Sequence, residues 1–336
     1  MTGVVDFPTV NLPQPVTAAS RPAEVDLGVN VGEVSLKNPV IAASGTFGYG
    51  IEFAHLVDLN RLGGIVVKGL SAEPMAGAEP PRICDTPSGM VNAIGLQNIG
   101  VTAFVAEKLP LLRRYNTPVF ANVFGRTVDA YLEVIRVLEQ TEGVAGYELN
   151  VSCPNVDKGG AEFGTDPGSL SGVVSAARRI TKRPLWVKLV PTVGFIGVMA
   201  KAAEEAGADA VTIANTYPAL CIDVHNRKSR LGSTTVGLSG AAIKPITVRL
   251  VYEACKTVRI PVVGLGGVET PEDIVEYILA GASAVEVGTA HFIDPRASER
   301  LVEGLEKWCR ANNILRLSDL RGRLAEKSGL PEVARN

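Results

Sequence analysis

Eight short Val/Ile-rich runs, each followed by a stretch of helical periodicity, recur from residue 40 onward, and this alternation constrains the fold more than any other feature. The runs cover 40–43, 64–68, 118–122, 146–151, 185–189, 210–214, 262–265 and 284–287. Between them, apolar residues return at helical spacing over 52–62, 102–115, 128–140, 170–180, 193–206, 242–257 and 271–280, and 298–312 follows the last run. In one such stretch Ile196, Met199, Ala200 and Ala203 share a face, while Glu204 and Glu205 fall on the solvated side. Several runs are apolar on both faces, the pattern of parallel strands covered by helices. Eight strand–helix units predict an α/β fold, a single (β/α)8 TIM barrel over 25–320. The alternative is a doubly wound open sheet. No Gly-x-Gly-x-x-Gly follows the first strand, however, and Gly264-Leu-Gly-Gly-Val-Glu269 lacks the third glycine of that fingerprint.

Stretches 71–100 and 216–241 are too long for plain turns and are expected to fold over the carboxyl-terminal mouth as binding loops. Residues 1–24, with Pro8, Pro13, Pro15 and Pro22, read as a loose amino-terminal tail, and 321–336 as a carboxyl-terminal one. The 33 Lys and Arg against 35 Asp and Glu leave no basic surface for a nucleic acid. The apolar runs are far too short to span a bilayer, and no basic stretch precedes an apolar core in the first twenty residues. Five widely spaced cysteines without a CxxC pair point to a reducing, cytoplasmic setting and to no metal site built by this chain alone. The 35 glycines fit many tight turns where backbone approaches a ligand. Together these features predict a soluble enzyme.

In such barrels the carboxyl ends of the strands face the active site. Those ends read Ser44, Lys68, Asn122, Asn150, Lys188, Asn215, Gly266-Gly267 and Gly288-Thr289. A single lysine there is often a snorkelling or ion-paired end. Two lysines and three asparagines on five strands are another matter, because buried ammonium and amide groups need partners. Two cations and several carboxamides suit an anionic, heteroaromatic guest. The last two ends are glycine turns, placed where these barrels commonly bind phosphate through backbone N–H groups.

Asn150-Val-Ser-Cys-Pro-Asn155 is the sharpest local signal. A cysteine is commonly an apolar filler, but Cys153 stands on a polar loop beside Ser152 and Asn155. The three histidines, His55, His225 and His291, form no partner motif, so Cys153 fits a proton acceptor better than an acyl-transfer nucleophile. The Asn150-Val-Ser152 triplet matches a glycosylation acceptor only in a secreted protein, which this chain does not resemble. Cys255 and Cys309 fall in helical patterns as filler, Cys84 and Cys221 in the two long loops, and His55 on a helix surface.

The phrases Ala43-Ser-Gly-Thr-Phe-Gly-Tyr-Gly50, Val67-Lys-Gly69, Asn92-Ala-Ile-Gly-Leu96, Asn150-Val-Ser-Cys-Pro-Asn155, Lys158-Gly-Gly160, Gly237-Leu-Ser-Gly-Ala-Ala-Ile-Lys-Pro245, Gly264-Leu-Gly-Gly267 and Val287-Gly-Thr289 occur in order. From about residue 25 to 305 the chain thereby resembles the class 1 dihydroorotate dehydrogenases, most of all the catalytic subunit of the NAD-linked class 1B enzymes. The resemblance implies a flavin mononucleotide (FMN) barrel that oxidises dihydroorotate to orotate in pyrimidine synthesis. Carried over by position, it implies a flavin site of Ser44, Lys68, Gly69, Asn122, Asn150, Lys188, Ala214, Gly240, Gly266, Gly267, Gly288 and Thr289. It implies pyrimidine contacts at Lys68, Asn92, Ala93, Ile94, Gly95, Leu96, Asn150, Asn215 and Thr216. Cys153 falls on the family's catalytic base, which removes the C5 proton while hydride passes from C6 to FMN.

The chain carries neither a Rossmann fingerprint nor a cysteine cluster. The class 1B resemblance therefore implies a separate electron-transfer subunit with FAD and a 2Fe-2S cluster, passing electrons to NAD, around a homodimer core within a heterotetramer. A fumarate-linked class 1A homodimer shares the cysteine base and is the alternative. Quinone-linked class 2 enzymes use a serine base and an amphipathic, membrane-docking amino terminus, which four prolines in 1–24 preclude. The chain departs from the family at Ala214-Asn-Thr-Tyr-Pro-Ala-Leu-Cys-Ile-Asp223, where Tyr217 and Pro218 stand beside the expected substrate. That departure leaves room for a related dihydropyrimidine dehydrogenase. A non-catalytic barrel scaffold would show degraded site residues, whereas Cys153 and both lysines are present.

Overall fold

Alternation with a period of two sorts each strand's residues into an inner and an outer set. In the computed structural model, which describes residues 25–152, 163–191 and 194–325, all eight apolar runs are strands. These are β1 (Val40–Ala42), β2 (Gly64–Leu70), β3 (Val119–Val123), β4 (Gly146–Asn150), β5 (Leu185–Lys188), β6 (Ala210–Ile213), β7 (Val262–Leu265) and β8 (Ala284–Val287). They pair in parallel in chain order, and β8 returns to β1 to close the barrel. The fold is the expected (β/α)8 barrel.

The inner set fills the lower barrel with Ile41, Val66, Phe120, Trp186, Ala210, Val263 and Ala284. Phe120 and Trp186 stack with centroids 4.0 Å apart. The outer set, including Val67, Tyr147, Val187, Val211 and Val285, packs against the helices in the larger core. A short hairpin, Val29–Val31 with Val34–Leu36, was not visible as a pattern because each arm has three residues. Its Val31 and Leu36 join the inner cluster and close the amino-terminal end of the barrel.

Helices follow most strands, and three of the larger ones begin where side chains cap them. Thr127 accepts from the Ala130 N–H ahead of Val128–Glu139, and Asp166 from the Ser169 N–H ahead of Pro167–Ile180. Thr270 and Asp273 form a reciprocal capping box at Pro271–Leu279. Ile196–Glu205, Lys244–Cys255 and Ala297–Ala311 complete the larger ones. Over 101–112 the helix widens into π turns at Phe104–Lys108, just ahead of Pro110, which has no N–H to donate. The helix expected over 52–62 is absent. Two single 3-10 turns, Ile51–Phe53 and Leu59–Arg61, replace it, because the Asp58 side chain accepts from the Asn60 N–H and starts a new turn midway.

The two long stretches do lie over the mouth, but as a sheet rather than loops. Tyr217–Ala219, Val236–Ser239, Gly89–Asn92 and Ile83–Thr86 form four antiparallel strands in that order. Val91, Leu231 and Val236 give this sheet its own small core. Among the described residues no helix is long and apolar enough to cross a membrane.

Candidate active site

The strand ends and the overlying sheet enclose a cavity of about 480 Å³. Every described residue expected at the site lines it. Ser44, Lys68, Gly69, Asn122, Asn150 and Lys188 contribute from β1 to β5, and Ala214, Asn215 and Thr216 follow β6. Gly240, Gly266, Gly267, Gly288 and Thr289 line one end, and Asn92, Ala93, Ile94, Gly95 and Leu96 reach in from the mouth sheet. Cys153 lies outside the described residues, as do Asn155 and 158–160. Ser152, immediately before Cys153, lines the cavity.

The floor is a polar layer resting on the apolar plug. Period two places Asn122, Glu148, Lys188, Thr212 and Glu286 one step above the inner cluster. Asn122 Nδ2 donates to Glu148 Oε1 at 2.6 Å, and Thr212 Oγ1 to Glu148 Oε2 at 3.0 Å. Lys188 Nζ donates to Ser44 Oγ at 3.1 Å. It stands 3.9 Å from both Glu148 Oε1 and Glu286 Oε2. Neither glutamate had been singled out. Their signal was a lone acidic residue two positions before a strand end, in Tyr147-Glu-Leu-Asn150 and in Val285-Glu-Val-Gly288.

On one wall, carboxamides are locked by one another. Asn215 Nδ2 donates to Ser152 Oγ at 2.7 Å and to Asn150 Oδ1 at 3.2 Å, while its own Oδ1 accepts from the Thr216 N–H at 2.8 Å. Asn92 Nδ2 donates to Gly237 O at 3.1 Å. Tyr131 reaches from its helix to donate to Asn150 O at 2.7 Å, which fixes the end of β4. Burial and the Arg82 guanidinium hold Lys68 below the usual lysine pKa, and among the described residues it has no carboxylate partner within ion-pair distance. An anion from outside the chain would satisfy it. Of the departure after β6, Pro218 lines the cavity, whereas Tyr217 turns away to bond Thr247 Oγ1 at 2.9 Å.

At the other end the chain must be glycine. Gly267 has φ +66°, and a Cβ there would come within 2.7 Å of Lys244 Cβ. Gly240 has φ +100°, with Gly89 Cα only 2.6 Å from where its Cβ would stand. Tyr277 donates to Gly266 O at 2.7 Å and pins this turn from behind. Behind Gly288, the ring nitrogens of His291 meet Gly288 O at 3.1 Å and Ser298 Oγ at 2.8 Å.

Burial lowers the His291 pKa to about 4, so the folded protein resists a proton that the unfolded chain binds below about 6.5. Stability is therefore expected to fall as pH drops from about 6.5 to about 4, and to feel no further effect of this group below that. Urea unfolding across that range should show the slope in the native chain and a shallower one in His291→Gln.

The matching family model, described as dihydroorotate dehydrogenase, covers residues 26–308. The chain belongs to the dihydroorotate dehydrogenase family. A relative from Pelobacter propionicus, named dihydroorotate dehydrogenase B (NAD(+)), catalytic subunit, is 51% identical over 89% of this chain and 98% of its own. One of the same name from Thermodesulfovibrio yellowstonii is 49% identical over 89% of this chain and 99% of its own. A protein of Solibacter usitatus, provisionally named dihydroorotate dehydrogenase A (fumarate), is 56% identical over 89% of this chain and 98% of its own.

As a dihydroorotate dehydrogenase the chain is an FMN-dependent oxidoreductase, and the cavity suits such a group. Thr46 Oγ1 is buried at its edge and has no hydrogen-bond partner among the described residues. At Gly69, which lines the cavity, a Cβ would come 2.9 Å from Asn122 Oδ1 and 3.0 Å from Phe124 Cδ1. An unpaired donor, two lysines in the lining and glycine turns at one end match a flat polar ring with an anionic tail.

Proposed function

We propose that this chain is the catalytic subunit of a cytoplasmic, NAD-linked dihydroorotate dehydrogenase, oxidising dihydroorotate to orotate in pyrimidine synthesis. The observation that carries the reading is the convergence of Lys68, Lys188, Asn150 and Asn215, from four separate strands, on one cavity. FMN, when bound, supplies the acceptor for the hydride from C6 of the substrate. Ser44, Lys68, Gly69, Asn122, Asn150, Lys188 and Ala214 would hold its ring and ribityl chain, and Gly240, Gly266, Gly267, Gly288 and Thr289 its phosphate. Lys188 keeps positive charge at the cavity floor, where reduction adds negative charge. Lys68 offsets the substrate carboxylate. The locked amides of Asn92, Asn150 and Asn215, with Ala93 to Leu96 and Thr216, match the pyrimidine's alternating donors and acceptors. An analogue lacking those groups leaves buried amides unpaired and is rejected. Cys153 takes the C5 proton; a thiol is suited to this because its pKa lies near ambient pH.

Electrons leave to a separate subunit carrying FAD and a 2Fe-2S cluster, two such partners flanking a homodimer of this chain. The names of the Pelobacter and Thermodesulfovibrio relatives, each a catalytic subunit, support a separate partner subunit. The Solibacter name favours a second reading, direct reoxidation by fumarate. Purified protein is expected to be yellow and to bleach under anaerobic titration with dihydroorotate. Failure to bind flavin after reconstitution would end the proposal, and bleaching by dihydrouracil alone would move it to a dihydropyrimidine dehydrogenase. Return of the colour on adding fumarate, with no partner present, would establish the second reading.

A further inference from the structure

The cavity floor holds two carboxyl groups and one ammonium, all shielded from water. Glu148 and Glu286 are fully buried, and Lys188 is nearly so. With both glutamates ionised, this layer would carry one uncompensated negative charge above an apolar plug, which is costly. The hydrogen-bond donors are not shared evenly. Glu148 receives Asn122 at 2.6 Å and Thr212 at 3.0 Å, as a carboxylate should. Among the described residues, Glu286 Oε1 meets the Thr212 oxygen at 3.4 Å, the Glu148 carboxyl stands beside the same group, and Glu286 Oε2 has no hydrogen-bond partner. Thr212 owns one hydroxyl proton, and the nearer carboxylate takes it. Towards Glu286 the Thr212 oxygen can only accept, so two acceptors would face each other unless Glu286 brings a proton of its own.

We propose that Glu286 is a neutral carboxylic acid at physiological pH, held beside the Glu148 carboxylate across Thr212, and that the pair serves as a positioning device for Lys188. Among the described residues Lys188 is the cation within ion-pair distance of both glutamates, while Lys68, from β2, has no carboxylate within that distance. Glu148 comes from β4, Lys188 from β5, Thr212 from β6, Asn122 from β3 and Ser44 from β1. Beneath lie the apolar side chains of the plug. Burial first, and the Glu148 charge second, hold the Glu286 carboxyl well above the ordinary range, with Lys188 opposing them. One carboxylate then balances one ammonium, and Lys188 sits midway between the two glutamates, close enough to Ser44 to remain at the cavity surface. Were Glu286 ionised, the lysine would be drawn into the floor and its charge spent there. The link to catalysis rests on the flavin reading, whereas the proton on Glu286 does not.

The test is the infrared carbonyl stretch of a protonated carboxyl group, measured on the flavin-loaded chain at about pH 8, far above the ordinary Glu value of roughly 4.3. A protonated-carboxyl band that shifts in heavy water is expected in the native protein and is expected to vanish in Glu286→Gln. That variant replaces the acid with an isosteric neutral amide and is expected to keep the native thermal midpoint. Absence of the band from native protein would overturn the proposal, even if the variant failed to fold. So would a band that survives in folded Glu286→Gln. A colourless protein that retains the band would defeat the flavin reading alone, and a yellow one without it would defeat this proposal alone.

Discussion

Cys153→Ala is expected to slow reduction of the bound flavin by dihydroorotate by roughly 10²–10⁴-fold, the contribution typical of a positioned general base. Without the thiolate nothing at that position takes the C5 proton, and hydride departure from C6 stalls with it. Flavin should stay bound, since the residues proposed to hold it, Asn150 apart, come from other strand ends. Cys153→Ser is expected to recover little, because a hydroxyl is a far poorer proton acceptor near neutral pH than a thiol with a pKa of about 8.5. Anaerobic stopped-flow absorbance measures the step directly. A native rate in Cys153→Ala would remove this residue from the chemistry. The approach to it is firmly built: Ser152 N–H donates to Asn150 Oδ1 at 3.2 Å, and Ser152 Oγ accepts from Asn215 at 2.7 Å.

Lys188→Ala should act on both stability and flavin binding. The ammonium is the countercharge of a fully buried carboxylate, and breaking a buried pair from one side typically costs about 3–5 kcal/mol. Glu148 would then stand against an apolar plug with no ammonium beside it. Adding Glu148→Gln should recover much of the deficit of Lys188→Ala in urea unfolding. A deficit under about 1 kcal/mol at neutral pH would mean that the floor holds no ionised acid.

What the sequence disclosed follows the range of the forces involved. The eight strands were legible because burial on both faces leaves unbroken Val/Ile runs. The strand ends were legible because polar residues there, such as Lys68 and Asn150, interrupt those runs. Glu148 and Glu286 show the complementary blind spot. A single acidic residue in an apolar strand has no meaning until its parity places it inside, and its partner lies 138 positions away across the barrel. The mouth sheet was hidden for a similar reason: Asn92 pairs with Gly237, and neither short segment carries an alternation of its own. The helix expected over 52–62 failed because one aspartate, Asp58, outcompetes its continuation locally. The hydroxyls of Tyr131 and Tyr277 pin the carbonyls of Asn150 and Gly266, a role that no local pattern marks.

The hairpin that corks the foot of the barrel makes the chamber a cul-de-sac. Traffic of small molecules is then confined to the opposite rim, between the mouth sheet and the strand ends, so arriving fuel and departing product use one doorway in turn. Under the proposed function, a protein that drains the electrons has to settle near that rim without blocking it. The geometry thus predicts that product lingering in the doorway competes with fresh substrate.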